Sequence, residues 1–256
     1  MKSFLKKFFD TETSILIRNS LKRYEVHQHF DTKKQLSISD AFLWRTDNNF
    51  VTKFIFTDIF NTFYNQKDSF VEILFFDSKN NLIKKINLEK LNNINEIIIN
   101  KEFLNNVNDF GSFFIFHYTR NKIQEKAIIS NRCYLGYKNE NNFFSYVHGN
   151  YLARGTSIYK ENKIYDNIIK RSLFKNQIYQ IQKNFLKYDY SELFFVNPFT
   201  KEIKFYLNEK KYKLGPSSTI KINIKDTNLV KIRSNIMFFR PTIFSYRSNK
   251  LDVHHS

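Results

Sequence analysis

Cysteine is almost absent: the 256-residue chain has one, Cys133. A single thiol closes no intramolecular disulfide and no cysteine-based zinc site, so the fold rests on packing and Cys133 reads as a small buried hydrophobe. Glycine, with 5 residues, and proline, with 3, are nearly as scarce. Turns therefore fall to Asn and Asp, whose side chains bond their own backbone. No apolar run approaches the roughly 20 residues of a membrane-spanning helix. The stretch Met1 to Asp10 breaks its apolar positions with lysine too often for a signal-peptide core, so a cytoplasmic protein is expected. There is no phosphate-cradling glycine loop, Gly-x-Ser-x-Gly elbow, zinc-finger spacing or RNA-recognition aromatic signature. These absences remove the common signatures of nucleotide, hydrolase and nucleic-acid chemistry, and they leave any cofactor unspecified.

Acids are the other shortage. Against 41 Lys and Arg stand 24 Asp and Glu, a formal net charge of +17. Such a balance favours polyanions. The lysines are scattered along a chain whose Asn, Lys, Ile and Phe content matches AT-rich codon bias, and no Arg-rich arm is present. Nucleic acid is therefore disfavoured as a partner. An acidic glycan, a nucleotide-sugar or an anionic membrane surface remains.

Aromatics are abundant at 18%, with 29 Phe and 15 Tyr, enough for a sizeable core. Their arrangement suggests an internal repeat over residues 70–118 and 190–241. The run Val71 to Phe76, the turn Asp77 to Asn81 and the strand Leu82 to Leu88 match Leu193 to Val196, the turn Asn197 to Lys201 and Glu202 to Leu207. Ile83 then aligns with Ile203, Leu74 with Phe194, and Phe113 with Ile236 after a loop of different length. Alternating β-branched and aromatic runs bounded by polar turns read as strands. The expected fold is all-β: two packed immunoglobulin-like β-sandwiches in tandem, with a short N-terminal helix. That helix, over 1–20, carries Phe4, Leu5, Phe8 and Phe9 on one stripe beside Lys2, Lys6 and Lys7, suited to docking on the sandwich or to an anionic membrane. The first sandwich would span 21–120 and the second 173–256. Between them, 121–172 is an insert with three of the glycines, where backbone freedom and uniqueness point to a site.

Several constellations could carry chemistry. His27 and His29, at i, i+2 on a strand, offer two imidazoles to one metal. His117 ends a strand of the first repeat, opposite Arg240 in the second. His148 precedes Gly149 and Asn150, a corner suited to a general base. His254 shares a strand face with Asp252, which would orient it. A histidine-site enzyme would bring His117, His148 and His254 together at the sandwich interface, with or without a metal. Trp44, flanked by Asp40 and Arg45, supplies the aromatic face and planar polar groups that sugar recognition uses, and Tyr146, Asn150, Arg154 and Arg240 extend that set.

The segments Ser39 to Arg45, His148-Gly149-Asn150 and Asp252 to Ser256 resemble patches of uncharacterised bacterial β-sandwich proteins encoded near surface-polysaccharide genes. The resemblance covers a small part of the chain and brings no catalytic roles. It implies an accessory or binding protein for an acidic saccharide or nucleotide-sugar in surface-polysaccharide assembly. The histidine-site enzyme is the alternative. Long edge strands would also permit a scaffold or homo-oligomer.

Overall fold

The computed structural model describes residues 13, 14, 17, 35–123, 127–131, 133–140, 142–149, 152–159, 166–168, 177–181, 185–199, 201–227, 229–234, 236 and 239–255. In chain order the first strands are β1 (Leu36–Asp40), β2 (Phe42–Arg45), β3 (Val51–Thr57), β4 (Ser69–Asp77), β5 (Leu82–Leu88), β6 (Ile94–Ile99) and β7 (Phe110–Thr119). A middle group follows: β8 (Ile128–Asn131), β9 (Tyr134–Lys138), β10 (Ser145–His148), β11 (Leu152–Ser157), β12 (Asp166–Asn167) and β13 (Gln177–Ile181). The last are β14 (Tyr190–Val196), β15 (Ile203–Leu207), β16 (Lys210–Leu214), β17 (Thr219–Ile224), β18 (Val230–Ser234), β19 (Thr242–Arg247) and β20 (Lys250–His255). A short helix, α1 (Ile59–Tyr64), lies between β3 and β4, capped by the Asp58 side chain and closed by Asn65 at φ 50°.

The protein is all-β, built from several packed sheets. Sheet I runs β12–β11–β1–β8, sheet II β10–β9–β3–β6, sheet III β2–β7–β4–β5, sheet IV β13–β18–β15–β16 and sheet V β17–β14–β19–β20. Pairing is antiparallel except between β1 and β8.

Burial follows the strand patterns. β3 alternates between half-buried and buried positions, as a strand with one solvent face should. β7 and β14 are buried almost throughout, because both faces are covered. On β7, Phe113 packs toward sheet II through Phe54, with ring centroids 4.8 Å apart, while Phe114 lies under the Arg154 guanidinium at 4.3 Å. On β14, Phe195 meets Phe205 of sheet IV at 4.8 Å, and Phe194 meets Phe110 of the first half at 5.1 Å. One hydrophobic core consequently runs from residues of β2 to residues of β20.

Asparagine makes the turns: Asn48, Asn49, Asn65, Asn80, Asn105, Asn106, Asn208 and Asn249 have positive φ. No described glycine does. Glycine serves close approach instead: a Cβ on Gly111 would stand 2.0 Å from the Phe76 carbonyl oxygen and 2.9 Å from the Trp44 ring.

The sequence-based match of β5 with β15 does not hold. β4 and β5 form a hairpin within sheet III, whereas β14 and β15 belong to different sheets. The turn chemistry explains the difference. Asp77 Oδ1 accepts the backbone N–H groups of Lys79 and Asn81, which folds the chain straight back. Asn197 is followed by Pro198, which has no N–H for a ladder. Asn197 is fully buried, and its Nδ2 donates to the carbonyls of Lys201, Leu214 and Gly215 at 2.8, 3.1 and 2.6 Å, fixing a corner that sends the chain to the opposite sheet. β14 has β17 as a hydrogen-bonded neighbour, where β4 has β5.

The expected N-terminal helix and the His27–His29 pair fall outside the described residues, apart from isolated positions at 13, 14 and 17. The segment 121–172 is woven into the first half: β8, β11 and β12 sit in sheet I, and β9 and β10 in sheet II.

Candidate functional site

Four of the expected ligand residues are buried. Trp44 is fully covered, and its indole N–H donates to the Phe76 carbonyl at 2.9 Å, so it presents no ring to a sugar. Asp40 is likewise fully buried. Arg45 is locked between Asp47 and Glu192. Arg154 donates to the Pro198 carbonyl at 2.8 Å and to Ser217 Oγ, tying β11 to the second half. Arg240 is half-buried and stands 5.7 Å from the Tyr179 ring centroid. Asn150 lies outside the described residues.

The three expected catalytic histidines do not meet. His117 is sealed in the core beside Phe56, and burial pushes its pKa down to about 3. An imidazole so placed stays neutral and reaches no substrate. His254 is half-buried opposite Ile243. Its neighbour Asp252 accepts a hydrogen bond from Tyr188 at 2.8 Å; burial first, and this bond second, push the Tyr188 phenol up to about 12. Strand alternation turns His255 the other way, and His255 is the residue that meets His148.

His148 is exposed on β10, with Nδ1 2.7 Å from the Gly149 carbonyl oxygen and 3.2 Å from His255 Nε2. A carbonyl only accepts, so in the contact with Gly149 the His148 Nδ1–H is the donor. This contact lies on a seam between the halves. Ser145 Oγ accepts from Val253 N–H at 3.0 Å, and Asn142 Oδ1 accepts from Leu251 N–H at 3.0 Å. Gly149 takes no left-handed conformation.

Tyr146 and His148, two apart on β10, share the outer face of sheet II. The register sets this face out in rows. One row reads His148, Tyr134, Ile55, Glu96; the next reads Tyr146, Gly136, Lys53, Ile98; a third adds Lys138 and Val51. Tyr134 is 61% exposed and Tyr146 47%. A Cβ at Gly136 would stand 2.6 Å from the Tyr146 ring and 3.0 Å from the Phe144 ring, so glycine at this position lets both rings lie down on the sheet. Lys53 and Lys138 hold their ammonium groups 5.3 and 5.0 Å from the Phe144 centroid. Lys53 also bonds Glu96 at 2.9 Å, which raises its pKa above the ordinary lysine value. The result is an open shelf of aromatic rings with two cations and a carboxylate beside them.

Sequence reasoning identified Tyr146 and His148 but missed Tyr134, Lys53, Lys138, Phe144 and His255. Alternation within β9 and β10 could have grouped Tyr134 with Lys138 and Tyr146 with His148. Nothing local encodes that β3 lies beside β9. Among the described residues, no three His, Cys, Asp or Glu side chains form a metal-binding group. No helix among them is long and apolar enough to cross a membrane. No protein-family model matches the chain, and no curated protein matches it in sequence.

Proposed function

We propose that the chain is a non-catalytic binding protein for an acidic saccharide, taken on the outer face of sheet II, acting in surface-polysaccharide assembly in the cytoplasm. The observation that carries this reading is the pairing of exposed Tyr134 and Tyr146 rings with Lys53 and Lys138 on one face. Sugar C–H faces pack on aromatic rings, and carboxylates pair with ammonium groups. A large exposed apolar surface rimmed by polar groups marks an interaction site; here Ile94 is 71% exposed on the same face. The Glu96 carboxylate is suited to hydroxyl donors. In the same reading, sheets II and III and sheets IV and V form two immunoglobulin-like sandwiches.

Calorimetric titration with a uronic-acid oligosaccharide and its neutral counterpart tests the proposal. The acidic sugar should bind and the neutral one bind at least about ten-fold more weakly, roughly 1.4 kcal/mol. Tyr134→Ala should cost a similar factor for both sugars, and Lys53→Gln only for the acidic one. Equal binding of the acidic sugar by wild type and both variants would remove this face from the site.

A further inference from the structure

We infer that the outer face of sheet IV is a docking surface for an anionic lipid bilayer. The β15–β16 hairpin puts Lys204 directly opposite Lys213 and Tyr206 opposite Lys211. β18 adds Arg233 beside Tyr206, and β13 sets Ile178 beside Arg233 and Gln180 beside Lys231. The outward row is therefore Ile178, Arg233, Tyr206, Lys211, flanked by Lys231 on one side and the Lys204–Lys213 pair on the other. No acid occupies any of these paired positions. Glu202 and Glu209 stand just outside them, before and after β15.

Like charges directly across a ladder destabilise it. Five cations are held on one sheet face, with Lys204 directly across from Lys213, and an anionic surface would offset their mutual repulsion. The apolar residues on this face select among anions. Ile178 is 56% exposed and Leu229, one step before β18, is 42% exposed. Phosphates of a nucleic acid or charges of a polysaccharide would satisfy the cations and leave these side chains in water. A bilayer interface takes both, cations at the headgroups and apolar side chains at the acyl boundary. Nor does the face offer a base-stacking platform: among the described residues Tyr206 is its one aromatic, and the Arg233 guanidinium lies over that ring at 4.3 Å.

Co-sedimentation of the full chain with vesicles tests the inference, comparing phosphatidylcholine alone with phosphatidylcholine containing phosphatidylglycerol. Binding should require the anionic lipid and weaken with salt. The triple variant Lys204→Gln, Lys231→Gln, Arg233→Gln should bind on the order of a hundred-fold more weakly, about five-fold per cation. A charge-matched control, Lys79→Gln, Lys90→Gln, Lys122→Gln, removes exposed cations elsewhere and should stay within a few-fold of wild type. Melting temperatures of both variants report that the fold is kept. Absence of binding to anionic vesicles overturns the inference, as does equal loss in the control. Stronger dependence of a single-stranded oligonucleotide or an acidic polysaccharide on the same three cations would also overturn it. The saccharide test uses substitutions on sheet II, so either reading can fail alone.

Discussion

Replacing Arg45 by Met should lower the unfolding free energy by about 3–5 kcal/mol, the cost of stranding buried charge when one partner is removed. Arg45 is fully buried and its guanidinium is used on every edge. Nε and Nη2 donate to the two carboxylate oxygens of Asp47, both at 2.9 Å, and Nη1 donates to Glu192 Oε2 at 2.7 Å. The flat faces are enclosed by Phe50, Phe194 and Phe244, with centroids 3.9, 4.5 and 4.5 Å away. Tyr246 donates to Glu192 Oε2 at 2.8 Å, and Lys221 stands 3.3 Å from Glu192 Oε1 and 3.5 Å from Asp47 Oδ2. Two cations balance two carboxylates. Without Arg45, Lys221 alone faces both anions. Burial opposes charge on the guanidinium, but the Asp47 hydrogen bonds and nearby anions outweigh it and raise its pKa.

The same network joins residues of β2 to residues of β14 and β19, so the loss should be global and not confined to one half. Chemical denaturation followed by fluorescence checks this. A double variant, Arg45→Met with Glu192→Gln, should recover part of the loss, because it removes one stranded anion. Simple additivity of the two single variants would show that the pair is not coupled.

Arg45 also illustrates how far the sequence was legible. Arg beside the one tryptophan and near two aspartates has the composition of a sugar site, and nothing local reveals that Glu192 arrives from 147 positions away. The strands themselves were legible, since alternation in β3 and unbroken apolar runs in β4, β7 and β14 depend on neighbours along the chain. Asparagine turns were legible for the same reason. Sheet assignment was not: the Asn197 corner and the Asp77 turn look alike as polar punctuation, yet one crosses between sheets and the other closes a hairpin. The candidate site divides in the same way. Tyr146 and His148 lie within one strand and could be grouped, whereas Lys53 and Tyr134 become neighbours only through the pairing of β3 with β9.

His117 predicts how stability responds to acid. Among the described residues neither ring nitrogen has a hydrogen-bond partner, and the ring is sealed in the core, so the native state holds it neutral down to about pH 3. In the unfolded chain a histidine titrates near pH 6.5. Because the folded pKa is depressed, the unfolded state takes up the proton first as pH falls. The contribution is therefore present above about pH 6.5 and declines below it by about 1.4 kcal/mol per pH unit, until the folded pKa is reached. Between pH 7 and pH 5 the loss should be about 2 kcal/mol. His117→Leu, similar in size and without a titrating group, should escape it. The measurement is urea denaturation of wild type and variant at both pH values. The stability difference in favour of Leu should grow by about 2 kcal/mol on going to pH 5, since the other titrating groups are common to both proteins. At pH 7 the variant should already be at least as stable, because two buried nitrogens without partners are removed. An unchanged difference between the two pH values would mean that His117 gains a proton in the folded protein, and with it a partner that the sealed core does not provide.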